Sequence, residues 1–184
     1  SLWFGTELGL LRHERGEFSM AVTEPAPLAI QAVAELPDGR IIAGTSTGVV
    51  VADGASLVPY DLAGEDVGAL LVARGGELWA GGTGALVHFT PSGATRIALP
   101  GGSKAHVNGL AFVGETLWIA SSAGLYRFGP SDSAPVAEAG QLGQESIESL
   151  LVDRSGNLWI GTPSALVMRT SAGVLSRHAA EDFV

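Results

Sequence analysis

A segment of about ten residues recurs five times along this chain, and this repeat is the strongest constraint on its fold. All four tryptophans occupy the second position of a copy, and Ile42 occupies that position in the remaining copy. Successive copies are 39, 37, 39 and 41 residues apart. A period of this length is typical of repeat proteins in which each unit buries its apolar surface against its neighbours. The copies begin at Leu2, Ile41, Leu78, Leu117 and Leu158.

Each repeat has the pattern of short β-strands joined by tight turns. Runs rich in Val, Ile, Leu and Trp are broken by turn residues such as Asp38-Gly39 and Ser155-Gly156 at spacings too short for ordinary helices. One repeat accommodates an inner strand, the Leu-Trp strand, a third strand and a weaker outer strand. Four antiparallel strands in about 40 residues make one β-propeller blade, so we predict an all-β propeller. The inner strands are predicted at residues 30–34, 67–72, 107–113 and 147–152.

The repeats divide the whole chain into five units, of which the first is incomplete. It begins at its Leu-Trp strand and lacks an inner strand, and residues 181–184 align with the start of another inner strand at 65–68. We therefore expect part of a larger ring, with a five-bladed closure or an assembly of two chains as alternatives. An open blade edge also predicts self-association. The units span residues 1–29, 30–66, 67–106, 107–146 and 147–184.

The repeat pattern D-G-x-L-W-I-G-T-x-x-G-L resembles the two-component regulator propeller repeat. Residues 155–162, SGNLWIGT, are its best match. The resemblance implies a propeller in the periplasmic sensor region of a bacterial hybrid histidine kinase or a related signalling protein. The motif specifies the fold and no particular ligand. The departures from it, Ile42 for Trp, Gly82 for Thr, and Ala85 and Ala165 for the second Gly, affect packing positions.

The composition excludes several classes of function. A net charge of −9 and a pI near 4.8 argue against nucleic acid as a partner. With 46% hydrophobic residues the chain is predicted to fold, and since its apolar runs are too short to span a bilayer, we expect no direct membrane insertion. The absence of cysteine excludes disulfides and thiolate metal sites. We expect no cofactor, because no phosphate-binding glycine loop is present.

Motifs that suggest catalysis are weak in this sequence. Residues 44–48, GTSTG, match the G-x-S-x-G nucleophile motif, but the same position in the other units carries ordinary turn residues. The four histidines are scattered without metal-ligand spacing, so no metal site is predicted. The tryptophans recur in almost every unit, which favours packing between blades over a sugar-stacking platform.

Polar residues at the start of the inner strands are the best candidates for a ligand site. Gln31, Gly68, Asn108 and Glu148 occupy one equivalent position, and His106 precedes one of them. Acidic residues recur in the same loops, as Glu65-Asp66, Glu145 with Glu148, and Glu181-Asp182. Loops on a rigid scaffold often carry function, although solvated loops are the alternative interpretation. The predicted ligand-binding residues are Gln31, His106, Asn108, Glu145 and Glu148.

These observations favour a non-enzymatic, ligand-sensing propeller that is periplasmic or extracellular. Its ligand would be a carbohydrate or another small molecule, since an acidic rim suits hydroxyl-rich or cationic ligands. A propeller lyase or hydrolase that uses His106, Glu145 and Glu148 is one alternative. A scaffold that binds another protein is the other.

Overall fold

A computed structural model describes residues 1–22, 28–62, 64–138, 140, 142 and 144–179. Within that part of the chain the regular structure is β-strand, apart from 3-10 helix at Gly102–Lys104 and at Leu142. Residues 181–184, which align with the start of another inner strand, lie outside the described residues. The chain divides into two compact units, residues 1–82 with 87–95, and residues 83–86 with 96–184.

The first unit contains two complete sheets and most of a third, of which residues 85–86 and 96–98 belong to the second unit. The first sheet has three strands in the order β1-β2-β3, and its neighbour is a four-stranded sheet in the order β4-β5-β6-β7. The third sheet has the order β11-β10-β9-β8. The strands are β1 Leu2–Thr6, β2 Gly9–Glu14, β3 Glu17–Ala21, β4 Ile30–Glu35, β5 Ile41–Thr45, β6 Gly48–Asp53, β7 Ser56–Asp61, β8 Val67–Val72, β9 Leu78–Gly82, β10 Ala85–Thr90 and β11 Gly93–Ala98.

The second unit contains the last two sheets, both four-stranded and antiparallel. The fourth sheet has the order β12-β13-β14-β15, and the fifth has the order β16-β17-β18-β19. Each sheet therefore follows chain order from one edge to the other, as a blade does. The strands are β12 Val107–Val113, β13 Thr116–Ser121, β14 Gly124–Phe128, β15 Val136–Ala137, β16 Ser149–Val152, β17 Leu158–Gly161, β18 Ala165–Arg169 and β19 Leu175–Ala179.

The repeated large residues form cores between neighbouring sheets. Trp79 and Trp118 are 6% and 3% exposed, which confirms core packing for these two rings. In the second unit, Trp118 packs in one cluster with Leu158 and Ile160 of the next sheet. The guanidinium of Arg169 also lies 4.7 Å above the Trp118 ring, a cation–π contact between the two sheets.

The repeated small residues allow the sheets to approach each other closely. A Cβ atom added to Gly44 would lie 2.5 Å from the backbone oxygen of Val67 in the next sheet. One added to Gly5 would lie 2.8 Å from the Cγ2 atom of Ile30. Gly82 stands where other repeats have Thr or Ser, and its added Cβ would collide with the backbone oxygen of Asp66. The departure at Gly82 therefore has a steric cause.

Hydroxyl side chains close the turn between the second and third strands of a sheet. The Thr45 Oγ1 atom donates to the carbonyl of Gly48 at 2.9 Å and accepts from the backbone N–H of Thr47 at 3.1 Å. The Ser121 Oγ atom makes the equivalent bond to Gly124 at 2.9 Å. Ser46 thus lies in a hairpin turn between β5 and β6, as predicted, and not at the strand-to-helix turn that a serine nucleophile requires.

The turn between β16 and β17 is capped by the carboxylate of Asp153. It accepts bonds from the backbone N–H groups of Ser155 and Asn157, the Asn157 amide and the Trp159 indole, all between 2.8 and 2.9 Å. These bonds, the indole bond foremost, lower the pKa of Asp153 to about 2. The turn before β9 has the same backbone bonds, but Ala73 stands at the position of Asp153.

Ala73→Asp is therefore expected to stabilise the protein. The new carboxylate would accept from the backbone N–H groups of Gly75 and Glu77, the counterparts of the two groups that Asp153 binds. Such bonds contribute about 0.5–1.5 kcal/mol each. The expected result is a melting temperature a few degrees above that of the parent protein. Ala73→Asn, a weaker acceptor, serves as the control, and an unchanged melting temperature for Ala73→Asp would contradict the prediction.

Candidate functional site

Three of the four equivalent positions at the start of the inner strands are occupied by β-bulge residues. The pairing register shifts between Ile30 and Ala32, between Val67 and Ala69, and between Val107 and Gly109. The additional residues are Gln31, Gly68 and Asn108. A bulge leaves one residue outside the ladder and redirects its side chain, and bulges are frequent beside functional sites. The fourth position, Glu148, directly precedes β16.

Gln31 connects the second sheet to the loop that precedes β8. Its Nε2 atom donates to the Oδ1 atom of Asp66 at 3.0 Å, and the bond is exposed to solvent. Both residues belong to the first unit. The bulge therefore places a primary amide beside a carboxylate at the start of two successive inner strands. A polar ligand could exchange hydrogen bonds with such a pair.

Asn108 makes the corresponding connection in the second unit. Its Nδ2 atom donates to the backbone oxygen of Ile147 at 2.8 Å. Glu148 follows Ile147 in sequence, and its backbone N–H donates to the oxygen of Gly161 at 2.8 Å. Asn108 and Glu148 are thus held on adjoining segments of two successive sheets. The Glu148 Oε1 atom accepts from the Ser146 hydroxyl at 2.7 Å, and this bond is exposed.

His106 lies two residues before Asn108, at the start of the same inner strand. Its Nδ1 atom is 3.2 Å from the Thr83 hydroxyl, and the two residues form an isolated antiparallel bridge. The His106 backbone N–H donates to the Ser122 hydroxyl at 3.0 Å, and that hydroxyl donates to the oxygen of Lys104 at 2.8 Å. Turn residues on both sides therefore fix the loop that carries the imidazole.

Glu145, the fifth predicted ligand-binding residue, is held by the outer strand of its sheet. Both carboxylate oxygens accept from the Arg177 guanidinium, at 2.9 and 3.2 Å, and the bond to Glu145 raises the pKa of Arg177. Arg177 also donates to the Ser164 hydroxyl at 3.2 Å. Glu145 and Glu148 were grouped in the sequence, but the structure gives them separate partners. The carboxylates of Glu145 and Glu148 therefore have no hydrogen-bond partner in common.

The sequence interpretation missed two hydroxyls that belong to this site. Thr83 and Ser122 both occupy the turn after the Leu-Trp strand, where hydroxyl residues recur in the repeat. That recurrence was a signal, but it did not indicate contact with His106. Among the described residues, no group of three His, Asp or Glu side chains has the arrangement of a metal site. In the same residues, no helix is long and apolar enough to cross a membrane.

The comparisons with known proteins agree with the sheet topology. Over 99% of its length, the chain is similar to the extracellular domain of BT3049, described as a hybrid two-component system of B. thetaiotaomicron, with 21% identity and a TM-score of 0.77. The extracellular domain of BT4673 from the same organism gives 19% identity and a TM-score of 0.74 over 90% of the chain. The chain spans 28% and 25% of these two domains.

An enzyme has the same fold. Virginiamycin B lyase from Staphylococcus aureus matches 97% of the chain with 14% identity and a TM-score of 0.75, and the chain covers 66% of it. At these identities the likeness establishes the fold alone. No match was found among the curated proteins.

The repeat itself also matches a family model. Residues 141–164 match the model described as "Two component regulator propeller". They include the Asp153 turn and β17, where the sequence is closest to the repeat pattern. The prediction of the repeat and that of the propeller fold are therefore confirmed. The chain has a β-propeller fold, and its residues 141–164 match the two-component regulator propeller repeat.

Proposed function

We propose that this chain is a non-enzymatic, ligand-binding propeller in the periplasmic or extracellular sensor region of a bacterial signalling protein. The observation that carries the proposal is the bulge at Asn108. Its side-chain amide donates to the backbone oxygen of Ile147, the residue before Glu148. The similarity to the extracellular domains of hybrid two-component systems supports the sensor role.

The chemistry of the site favours a small, hydroxyl-rich ligand such as a carbohydrate. The Asn108 amide can donate a hydrogen bond, the Glu148 carboxylate can accept one, and the His106 imidazole can do either. This combination suits hydroxyl groups, which both donate and accept. Asn108 and Glu148 have a backbone oxygen and the Ser146 hydroxyl as partners, which leaves part of their hydrogen-bonding capacity for a ligand. The net charge of −9 disfavours anionic ligands.

Asn108→Ala and Glu148→Gln are expected to weaken the binding of an oligosaccharide. The loss of one hydrogen bond to a ligand costs about 1.4 kcal/mol, which is a tenfold rise in Kd. Isothermal titration against a panel of neutral oligosaccharides measures the effect. Glu115→Gln is the matched control, because it removes an exposed carboxylate in the β12–β13 turn, at the other end of the inner strand. Absence of saturable binding to the panel, or equal affinity in all variants, would contradict the proposal.

A lyase is the second candidate, because the fold is shared with a lyase and an ordered imidazole stands at the candidate site. A lyase predicts that purified protein consumes its substrate and that His106→Ala abolishes the turnover while ligand binding persists. The sensor proposal predicts binding without any turnover. Product analysis of each ligand after prolonged incubation separates the two functions.

A further inference from the structure

The repeated tryptophan packs on two particular positions of the next sheet. One is the first residue of the next copy, and the other lies 11 residues after it. This packing occurs in both compact units, through shared core clusters and, in the second unit, through a cation–π contact. An indole ring therefore fills this place between two sheets. The two sets are Trp3 with Ile41 and Ala52, and Trp118 with Leu158 and Arg169.

The second sheet departs from this pattern, because Ile42 occupies the tryptophan position. The two corresponding positions of the third sheet are Leu78 and Phe89, and both pack in the core cluster that contains Ile42. Isoleucine is much smaller than tryptophan and fills less of the space between the sheets. A cavity of about 220 Å³ lies against Leu78 and Phe89, within the first compact unit.

The wall of this cavity is mostly apolar and contains a second aromatic residue. Tyr60 of the outer strand β7 lines it, and the guanidinium of Arg40 lies 5.6 Å from the centre of the Tyr60 ring. Of the described residues that line the cavity, Glu77 alone is charged, and its Oε2 atom is 3.0 Å from the His88 Nε2 atom. The carboxylate disfavours an acidic ligand, and the guanidinium disfavours a cationic one. The other lining residues are Leu36, Gly75, Gly76, Thr90 and Pro91.

We propose that this cavity binds an uncharged, planar aromatic molecule of the size of indole. The shape follows from the repeat, because a tryptophan ring of the chain itself occupies the equivalent place in both examples above. The size agrees, since an apolar cavity of about 150 Å³ binds benzene. Tyr60 and Phe89 supply rings for stacked or edge-to-face contacts with the ligand.

This cavity is separate from the polar residues at the start of the inner strands. It lies beside the turn of Gly75 and Gly76, which follows β8, whereas Asp66, the partner of Gln31, precedes β8. The two ends of one strand thus carry different chemistry. The aromatic site goes beyond the proposed function and does not depend on it, so either can fail while the other holds.

Titration with indole, followed by ligand-observed NMR, tests the proposal. The wild type is expected to bind indole with a Kd of about 1 mM or below, which is within reach of so small a ligand. Ile42→Trp supplies the ring from the chain itself, so indole binding should be lost while the melting temperature stays equal or rises. Tyr60→Ala removes one wall of the cavity and is expected to raise the Kd about tenfold. Tyr60 is 37% exposed, so folding should tolerate this change.

Phe18→Ala is the matched control, because it removes an aromatic side chain that is 65% exposed and lies outside the cavity. This variant should bind indole like the wild type. Absence of saturable binding to the wild type, up to the solubility of indole, would overturn the proposal. An equal Kd in the wild type, Tyr60→Ala and Phe18→Ala would place indole elsewhere on the protein and overturn it as well. The comparison of Tyr60→Ala with Phe18→Ala decides the question even if Ile42→Trp fails to fold.

Discussion

Gly44→Val is expected to destabilise the protein by about 3 kcal/mol, the upper range for overpacking a filled core. The added Cβ would lie 2.5 Å from the backbone oxygen of Val67 and 3.0 Å from its Cγ1 atom. That oxygen belongs to β8, whose ladder to β9 fixes the backbone, so the clash requires β5 of the second sheet and β8 of the third to separate. Chemical denaturation followed by tryptophan fluorescence measures the loss. The midpoint should fall with little change in slope.

The control for Gly44→Val is a glycine in open space. Gly75 is exposed, and a Cβ added there has nothing within 4 Å. Gly75→Ala is therefore expected to change the stability by less than about 0.5 kcal/mol. If Gly44→Val unfolds at the same denaturant concentration as Gly75→Ala, the small residues of the repeat do not set the spacing between blades.

The fold was predictable because the residues that pack between sheets recur at nearly constant spacing along the sequence. Gly5 and Gly44, three residues after the first Leu or Ile of a copy, lie close against the inner strand of the next sheet, and the large residues of the repeat fill the space between sheets. The inner strands observed at β8 and β12 begin and end where the pattern placed them. The outer strand of the fourth sheet is only Val136–Ala137, because the residues before it are rich in Pro, Ser and Asp, which favour turns.

The candidate site was predictable only in part. Equivalence between units identified Gln31 and Asn108, yet it did not reveal that both are bulge residues. Bulges depend on the pairing of two strands, which a single strand does not display. Glu145 was grouped with Glu148 because acidic residues recur in the same loop of three units. Arg177, 32 residues from Glu145, determines where that carboxylate lies, and such a distant pairing follows from the three-dimensional packing.

The role of Asp153 was not predicted, although the sequence around it contains the pattern that indicates this role. An aspartate that precedes a turn commonly binds backbone N–H groups two residues on. Asp153 does so, and it also reaches the Trp159 indole six residues away. The sequence contains both residues in the segment that best matches the repeat. The structural role of this carboxylate could therefore have been predicted together with that of the tryptophan.

Asp153→Ala is expected to lower the melting temperature at neutral pH by several degrees. The substitution removes the carboxylate that accepts four hydrogen bonds. Two of the donors, the Asn157 amide and the Trp159 indole, are part-buried. A buried donor that loses its acceptor costs more than the bond itself contributed. Asp38→Ala is the control. The backbone N–H of Arg40 and then its side chain lower the pKa of Asp38, but these contacts are exposed to solvent, so a smaller change is expected.

The pH dependence of the same variant distinguishes the carboxylate from a simple loss of packing. Because the folded pKa of Asp153 is about 2 and the ordinary value is 3.8, its ionised form stabilises the native state fully above about pH 5. That stabilisation is lost progressively as the pH falls from about 5 to about 1, where the folded and unfolded chains both bind the proton. The melting temperatures of the parent protein and of Asp153→Ala should therefore differ most near pH 7 and converge towards pH 2. A difference that is constant over this range would mean that the shape of the side chain, and not its charge, holds the turn.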